Sequence, residues 1–211
     1  SLLEAISGVQ LPRSDGTCTR CVMELRLAES QEPWQCQVSL RREYDEDGKT
    51  PLPRTTETKF GNSIDDPKDV ELMARRAQKA LLNPSNNSDQ YIDWIFNDDN
   101  DADTNSLKFT KNVVCLEIKG NDVPNLSLID LPGIIHHTEK VEDEKFVKLI
   151  KDLAESYIKR EASVIIATIS CKDEIENQEI VSLARTVDPS GLRTLGVLTK
   201  PDMIEQGTHE P

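Results

Sequence analysis

Hydrophobic and polar residues alternate in two stretches near the start of the chain. In residues 19–28, apolar side chains occupy every second position from Cys21 to Leu27, and residues 35–42 repeat the pattern. A period of two is typical of a strand that buries one face. Because the two stretches are close in sequence, we expect them to pair as an antiparallel hairpin.

Three longer stretches carry a helical pattern instead. Residues 69–82 place apolar side chains at positions 70, 73, 77 and 81, and residues 141–160 carry a long apolar stripe. A further helix is expected over about 175–187. Each is long enough for a helix that packs one face on a sheet.

The first residues indicate the body of a helix without its start. Leu2, Leu3 and Ile6 form an apolar face, and Gly8 suits the position after a helix end. No capping residue or strand precedes this helix, and the last residues, IEQGTHEP, add no closing element. We therefore expect the chain to be a fragment of a longer domain.

Four apolar runs of strand length lie in the second half of the chain. Residues 112–118 and 125–130 are close enough to pair as a hairpin, whereas residues 163–170 and 193–199 are continuously apolar, as in strands buried on both faces. From residue 125 onward strands and helices alternate, which predicts parallel strands with crossover helices. The expected fold class is α/β: a mostly parallel sheet flanked by helices, with an antiparallel hairpin.

Two polar stretches interrupt this pattern. Residues 43–68 show no period and are expected to form a loop, and residues 97–106 are acidic and low in complexity. The spaced acids faintly resemble a calcium loop, but the Gly and the final Glu of that loop are not present. We expect a polar, acidic insertion at about 43–110 within a single domain that spans residues 1–211.

Composition and charge exclude several classes of partner. The chain has a net charge of −13, so it gains nothing from releasing phosphate counterions, and nucleic acid is not an expected partner. An anionic membrane surface would repel it as well. No apolar run reaches the length of a membrane span, and no secretory signal is present. The five cysteines suit reduced, cytosolic thiols better than a disulfide framework.

A carboxylate stands at the end of one predicted strand, in the sequence LSLIDLPGII of residues 126–135. Asp130 followed by Pro-Gly is compatible with an ordinary turn. The alternative is the Asp-x-x-Gly of a nucleotide switch, in which Asp130 holds Mg²⁺ through water and the amide of Gly133 faces the terminal phosphate. Ligands of parallel α/β sheets bind beyond the carboxyl ends of strands, which is where Asp130 is expected.

A second motif, LTKPD, ends the last predicted strand at residues 198–202. Thr-Lys-x-Asp after a strand suits guanine recognition, because guanine presents two donors that one carboxylate accepts as a bidentate pair. Asp202 would accept them, and the aliphatic stem of Lys200 would lie against the base. The alternative is a proline-containing turn with solvated charges.

The order and spacing of longer segments then resemble the dynamin-like GTPase superfamily. The segments SLLEAISGVQLPRSDGTCTRC, VPNLSLIDLPGI and VDPSGLRTLGVLTKPDMIEQGT carry the resemblance, which covers almost the whole chain. It is closer to Mx-type and vacuolar-sorting-type members than to simple Ras-like domains. The resemblance implies a three-layer, P-loop G-domain-like fold whose first strand and phosphate-binding loop precede residue 1.

The resemblance also implies roles for individual residues. Thr19 matches the first-switch threonine, which ligates Mg²⁺ and helps to position the attacking water. Asp130 and Gly133 match the second switch, and Thr199, Lys200 and Asp202 match the guanine motif. The implied ligands are GTP and Mg²⁺, and the implied chemistry is attack of water on the γ-phosphate.

Four departures from the family pattern accompany the resemblance. The phosphate loop G-x-x-x-x-G-K-S is absent, as is the closing G-domain motif, and Val22 stands where the family has proline after TRC. His136 and His137 lie where a basic residue usually follows D-L-P-G-x-x. An adjacent histidine pair or the CTRC segment could suggest metal or redox chemistry, but neither has a second pair of ligands in the sequence.

The implied function is hydrolysis of GTP to GDP and phosphate, which would drive self-assembly or membrane remodelling in the intact parent protein. Without the phosphate loop, we expect the 211 residues alone to be inactive. One alternative is a degenerate G domain that binds no nucleotide and acts as an interaction or assembly module. Another is a truncated product that folds poorly.

The resemblance implies partners as well. We expect self-association through G domains or a stalk, and contacts with membranes or microtubules through domains that are not part of this sequence. The expected location is the cytoplasm, peripheral to organelle membranes or the cytoskeleton.

Overall fold

The computed structural model describes residues 2–12, 19–96, 106–133, 144–171 and 179–203. The chain divides into two compact units between Gly133 and Ile134. The first unit contains a five-stranded sheet and the second a pair of strands. Helices pack on both sheets, so the predicted α/β class is confirmed.

The sheet of the first unit has the order β3-β2-β4-β1-β5. Its strands are β1 (Val22–Glu29), β2 (Gln35–Tyr44), β3 (Pro51–Lys59), β4 (Val113–Gly120) and β5 (Leu126–Asp130). β1 and β4 run parallel, and the other neighbouring pairs are antiparallel. The sheet of this unit is therefore mixed.

One face of this sheet forms the core of the unit. Alternating residues of the three central strands are buried on it: Met23, Leu25, Leu27, Cys36, Val38, Leu40, Val114, Leu116 and Ile118. Helix α2 (Val70–Leu82) packs against β2 and β4 and buries Ala74, Ala77 and Ala80. Because alanine is small, the helix axis can approach the sheet closely.

A short helix, α1 (Leu2–Ser7), joins the same core through Leu3 and Ile6. It ends at Gly8, whose positive φ of 73° favours glycine and whose amide donates to the carbonyl of Glu4. The Glu4 carboxylate accepts from the amide of Leu11 at 3.0 Å. The chain after α1 is thereby held against the core.

The opposite face of the sheet carries a ladder of charged side chains. The Arg26 guanidinium lies 2.9 Å from a Glu24 oxygen and 2.8 Å from a Glu57 oxygen, and Arg41 pairs with Glu24 and Glu43. The period-two pattern thus predicted correctly that β1 and β2 have one apolar and one polar face.

Both predicted hairpins are wrong. β4 lies between β1 and β2, and β1 lies between β4 and β5. The pattern of apolar positions identifies which face of a strand is buried, but it does not identify the neighbour across the backbone hydrogen bonds. Since seven of the eight residues of β4 are buried or half-buried, this strand takes the central position and has partners on both edges.

The predicted loop over residues 43–68 is also wrong, because it contains β3. Eight of the nine residues of β3 are exposed, so the strand has no apolar period to detect. The backbone of β2 pairs with it at the edge of the sheet, where prolines and charges are tolerated. The turn before β3 is closed by Asp47, whose carboxylate accepts from the amide and hydroxyl of Thr50 at 2.8 and 2.6 Å.

The second unit contains α3 (Glu144–Ile158), β6 (Ile165–Ser170), α4 (Glu179–Val187) and β7 (Thr194–Thr199). β6 and β7 pair in parallel, and α4 packs against β6, so the predicted parallel strands with a crossover helix are confirmed here. Buried Leu183 and Ala184 face this packing. A pairing of β5 with this group of strands stays a prediction.

Some expectations concern residues outside the described ranges. The acidic residues 97–105 and the beginnings of the predicted helices at 141–160 and 175–187 lie there. Within the described ranges, no helix has the length and apolar character needed to cross a membrane.

Candidate functional site

The antiparallel pairing of β1 and β5 brings two of the candidate residues together. Asp130 ends β5 opposite Met23, so it lies beside the beginning of β1. Thr19 precedes that strand by three residues, and its hydroxyl donates to an Asp130 carboxylate oxygen at 3.4 Å. This contact is longer than a typical O–H···O bond and is therefore weak. The first unit thus has a corner, formed by Thr19 and Asp130, with one hydroxyl and one carboxylate.

The carboxylate in this corner is destabilised in its charged form. Burial raises the pKa of Asp130 to about 6, and the hydrogen bond from Thr19 opposes the shift. Cys21, fully buried nearby, has a pKa raised to about 12, chiefly by burial. A half-buried carboxylate whose charged form is disfavoured gains from any cation that reaches it.

The residue after Thr19, Arg20, is held by hydrogen bonds to both its backbone amide and its backbone carbonyl. The amide of Arg20 donates to the side-chain oxygen of Gln78 on α2 at 3.0 Å, and the carbonyl of Arg20 accepts from the amide of Thr110 at 3.1 Å. The thiol of Cys21 donates to the same Gln78 oxygen at 3.8 Å. No sequence pattern points to Gln78, because its partners are distant in the chain.

Gly133 follows β5 in an exposed position. A Cβ placed on it would meet no heavy atom within 4 Å, and its φ lies outside the positive range. The protein's own described residues therefore do not require glycine here.

The second unit holds the other three candidates at the end of β7. Thr199 is bound into the sheet, because its hydroxyl donates to the carbonyl of Ile169 at 3.1 Å and its carbonyl accepts from the amide of Cys171 at 2.8 Å. Lys200 and Asp202 are exposed. Among the residues that the structure describes, Lys200 is the only non-glycine with positive φ, at 55°.

A short 3₁₀ helix, Pro201–Met203, begins directly after this unusual backbone position. The left-handed conformation costs a residue with a Cβ about 1–2 kcal/mol. Such strain is more frequent at functional turns than elsewhere, and it turns the chain sharply after the strand. Lys200 and Asp202 are therefore presented together at the carboxyl end of β7.

The comparisons with known proteins agree with the motif order. The model of the Dynamin family matches residues 1–201. The chain belongs to the dynamin family. Among its relatives, the interferon-induced GTP-binding protein Mx of Perca fluviatilis is 34% identical over 212 residues, covering 100% of this chain and 58% of that protein.

Other relatives of this dynamin-family chain are longer. The protein of the same name from Dicentrarchus labrax is 33% identical over 210 residues, and Mx1 of Oncorhynchus mykiss is 32% identical over 212 residues. Both alignments cover 100% of this chain but only 27% and 28% of those proteins. The chain thus spans less than two thirds of the length of the relatives it matches.

A further network in this dynamin-family chain fixes the start of β7. The carboxylate of Asp188 accepts from the hydroxyl of Thr194 at 2.7 Å and from the amide of Arg193 at 3.0 Å, and these bonds lower the pKa of Asp188. The Arg193 guanidinium donates to the carbonyls of Ser163 and Val187 at 3.1 and 3.2 Å. In the sequence this segment stands out only as part of a motif, and its hydrogen bonds to distant carbonyls have no sequence signal.

The alternative metal sites receive no support from the described residues. No group of three or more histidine, cysteine, aspartate or glutamate side chains that could hold a metal ion occurs among them. Burial keeps the Cys21 thiol protonated, whereas a metal ligand must be a thiolate. Cys18, His136 and His137 lie outside the described residues.

Proposed function

We propose that this dynamin-family chain supplies most of a GTPase domain, which binds Mg²⁺ and GTP and hydrolyses GTP to GDP and phosphate in the whole protein. The observation that carries the proposal is the contact between Thr19 and Asp130. Two residues that are 111 positions apart in the sequence, each assigned to a different nucleotide switch, lie side by side.

The donor set of this corner fits magnesium. Mg²⁺ prefers oxygen ligands, keeps several waters and takes one or two protein oxygens together with phosphates. Thr19 would supply a hydroxyl and Asp130 a carboxylate, directly or through water. A divalent cation would also relieve the burial penalty that raises the pKa of Asp130. Magnesium would neutralise charge on the phosphates as the bond to the leaving GDP breaks.

The turn after β7 fits recognition of the base. Asp202 is an exposed carboxylate that can accept both donors of guanine, and adenine lacks that pair of donors. The strained backbone at Lys200 orients this turn before any ligand arrives. Thr199 contributes by fastening the turn to β6, since its hydroxyl is bound to Ile169.

Hydrolysis requires groups beyond these residues. The 211 residues contain no G-x-x-x-x-G-K-S loop, which would supply amides and a lysine to the phosphates. We therefore expect the isolated chain to be inactive and the whole protein to be the GTPase. Self-assembly and remodelling of membranes, or contact with microtubules, would use nucleotide-driven changes of this domain and parts outside the sequence. The proposed location is the cytoplasm, at the surface of organelle membranes or the cytoskeleton.

One observation favours a second function. Val22, in place of the family's proline, suits a degenerate domain that binds partners without nucleotide. Release of phosphate from GTP by the protein at its full natural length would exclude this alternative.

The experiment that tests the proposal exchanges the base-reading carboxylate. Asp202→Asn places an amide where the carboxylate stood, so it loses one acceptor toward guanine and gains a donor that suits the carbonyl of xanthine. We expect phosphate release from GTP to fall about a hundredfold at low substrate, and release from XTP to rise. Equal loss with both nucleotides would contradict guanine reading by Asp202.

A further inference from the structure

We propose that Gln78 is a positioning residue, which holds Thr19 in place beside Asp130 by fixing the backbone of Arg20. The inference rests on the proposed function, because it assigns Gln78 a part in the same site. It extends that site from the β1–β5 corner to helix α2.

The Gln78 side chain contacts the beginning of β1 at two points. Its oxygen accepts from the Arg20 amide at 3.0 Å and from the Cys21 thiol at 3.8 Å. Gln78 lies on α2 between Ala77 and Lys79, which are both buried, so the helix that bears it is fixed on the core. A rigid helix therefore determines where the Arg20 amide lies.

A second hydrogen bond of Arg20 allows the position of its amide to determine the position of Thr19. The Arg20 carbonyl accepts from the Thr110 amide at 3.1 Å, so both peptide groups flanking its α-carbon are held. Thr19 is joined to Arg20 through the peptide whose N–H Gln78 binds. Its hydroxyl reaches the Asp130 carboxylate at 3.4 Å, a distance that a small backbone shift would lengthen or shorten.

Glutamine suits this position chemically. The Arg20 amide and the Cys21 thiol are both donors, so the residue on α2 must offer an acceptor. Methionine has a similar length but no strong acceptor, whereas glutamate keeps the acceptor oxygen. These two substitutions separate the hydrogen bond from the space that the side chain fills.

The test combines kinetics with a spectroscopic measurement on the protein at its full natural length. We expect Gln78→Met to lower kcat for GTP hydrolysis about tenfold while KM changes less than twofold. Loss of one hydrogen bond of this kind corresponds to about a tenfold change in rate. Gln78→Glu should restore most of kcat. Ala74→Gly, which weakens α2 at a buried position without touching Arg20, serves as the control and should leave kcat within about twofold.

The spectroscopic readout needs no nucleotide. In protein labelled at threonine methyl groups, the Thr19 resonance is identified by its absence in Thr19→Val. We expect it to shift in Gln78→Met and in Asp130→Asn, and to stay in place in Ala74→Gly.

The outcomes separate the inference from the proposed function. A Thr19 signal that moves equally in Gln78→Met and Ala74→Gly, or moves in neither, overturns the positioning role. A shift specific to Gln78→Met supports the positioning role even if the unsubstituted protein releases no phosphate from GTP. That absence of turnover would overturn the proposed function instead.

Discussion

The two candidate carboxylates lie in opposite environments. Asp130, in the corner with Thr19, is half-buried, whereas Asp202, in the turn with Lys200, is exposed. The partial burial of Asp130 raises its pKa to about 6. Asp202 is exposed after a turn whose backbone conformation is strained at Lys200. The first arrangement favours binding of a cation, because a cation would relieve an existing penalty. The second favours recognition of hydrogen-bond donors, because the carboxylate remains solvated until it accepts from a base.

The largest effect that distinguishes the two carboxylates is a pH-dependent stability. The folded-state pKa of Asp130 is raised from 3.8 to about 6, so the folded protein binds a proton more tightly than the unfolded chain. Stability from this group is present at low pH and is lost as pH rises through about 4 to 6. We expect Asp130→Asn, which removes the charge, to be more stable than the natural protein by up to about 3 kcal/mol at pH 8.

The same comparison should give no difference near pH 4, where Asp130 is already protonated. The measurement is denaturant unfolding of both proteins across this pH range without added Mg²⁺. The matched control is Asp202→Asn, whose exposed carboxylate should produce a change of less than about 0.5 kcal/mol at either pH. A pH-independent difference for Asp130→Asn would show that burial does not govern this corner.

A smaller effect on stability is expected from the start of β7, the strand that leads into the exposed turn with Lys200 and Asp202. Arg193→Ala removes the donors to the carbonyls of Ser163 and Val187. We expect the second unit to lose about 2 kcal/mol, and amide hydrogen exchange in β6 and β7 to accelerate accordingly.

Arg185 provides the control for this loss, because it is an exposed arginine of the same unit. Arg185→Ala should change the protection of β6 and β7 by less than about 0.5 kcal/mol. Equal effects of the two substitutions would mean that the clamp formed by Arg193 does not stabilise the strands.

The smallest expected effect concerns the strained residue itself. Glycine adopts a φ of 55° without steric cost, so Lys200→Gly should be about 1 kcal/mol more stable than Lys200→Ala, which keeps the Cβ. Thermal unfolding of the two variants checks the difference. A glycine variant no more stable than the alanine variant would remove the evidence for strain in the turn.

The two aspartates are candidates from the sequence because each lies at or just beyond the end of an apolar run of strand length: Asp130 ends β5, and Asp202 lies three residues after β7. The period-two pattern likewise assigned the faces of β1 and β2 correctly. The pairing of strands could not be inferred in this way, since burial of a face does not specify the neighbour, and β4 separates β1 from β2. β3 was missed because its exposed side chains carry no period.

Gln78 could not be found from the sequence for a different reason. Its importance comes from a hydrogen bond to Arg20, which is 58 residues away, and its position on α2 is ordinary for a polar residue of an amphipathic helix. The packing of α2 on the sheet brings it to the backbone of Arg20, next to Thr19. Asp188 and Arg193 are similar, because their roles depend on where α3 and α4 end.

The central claim is that residues of this dynamin-family chain form part of a site that binds a guanine nucleotide. The most direct measurement is thermal unfolding of the protein at its full natural length with Mg²⁺ alone, with Mg²⁺ and GTP, and with Mg²⁺ and ATP. At a hundred times its Kd, a ligand that binds only the folded state adds about 2.7 kcal/mol. We predict that GTP raises Tm, that ATP does not, and that Asp202→Asn removes the effect of GTP. An equal rise with both nucleotides, or none with either in a protein that unfolds cooperatively, would contradict the claim.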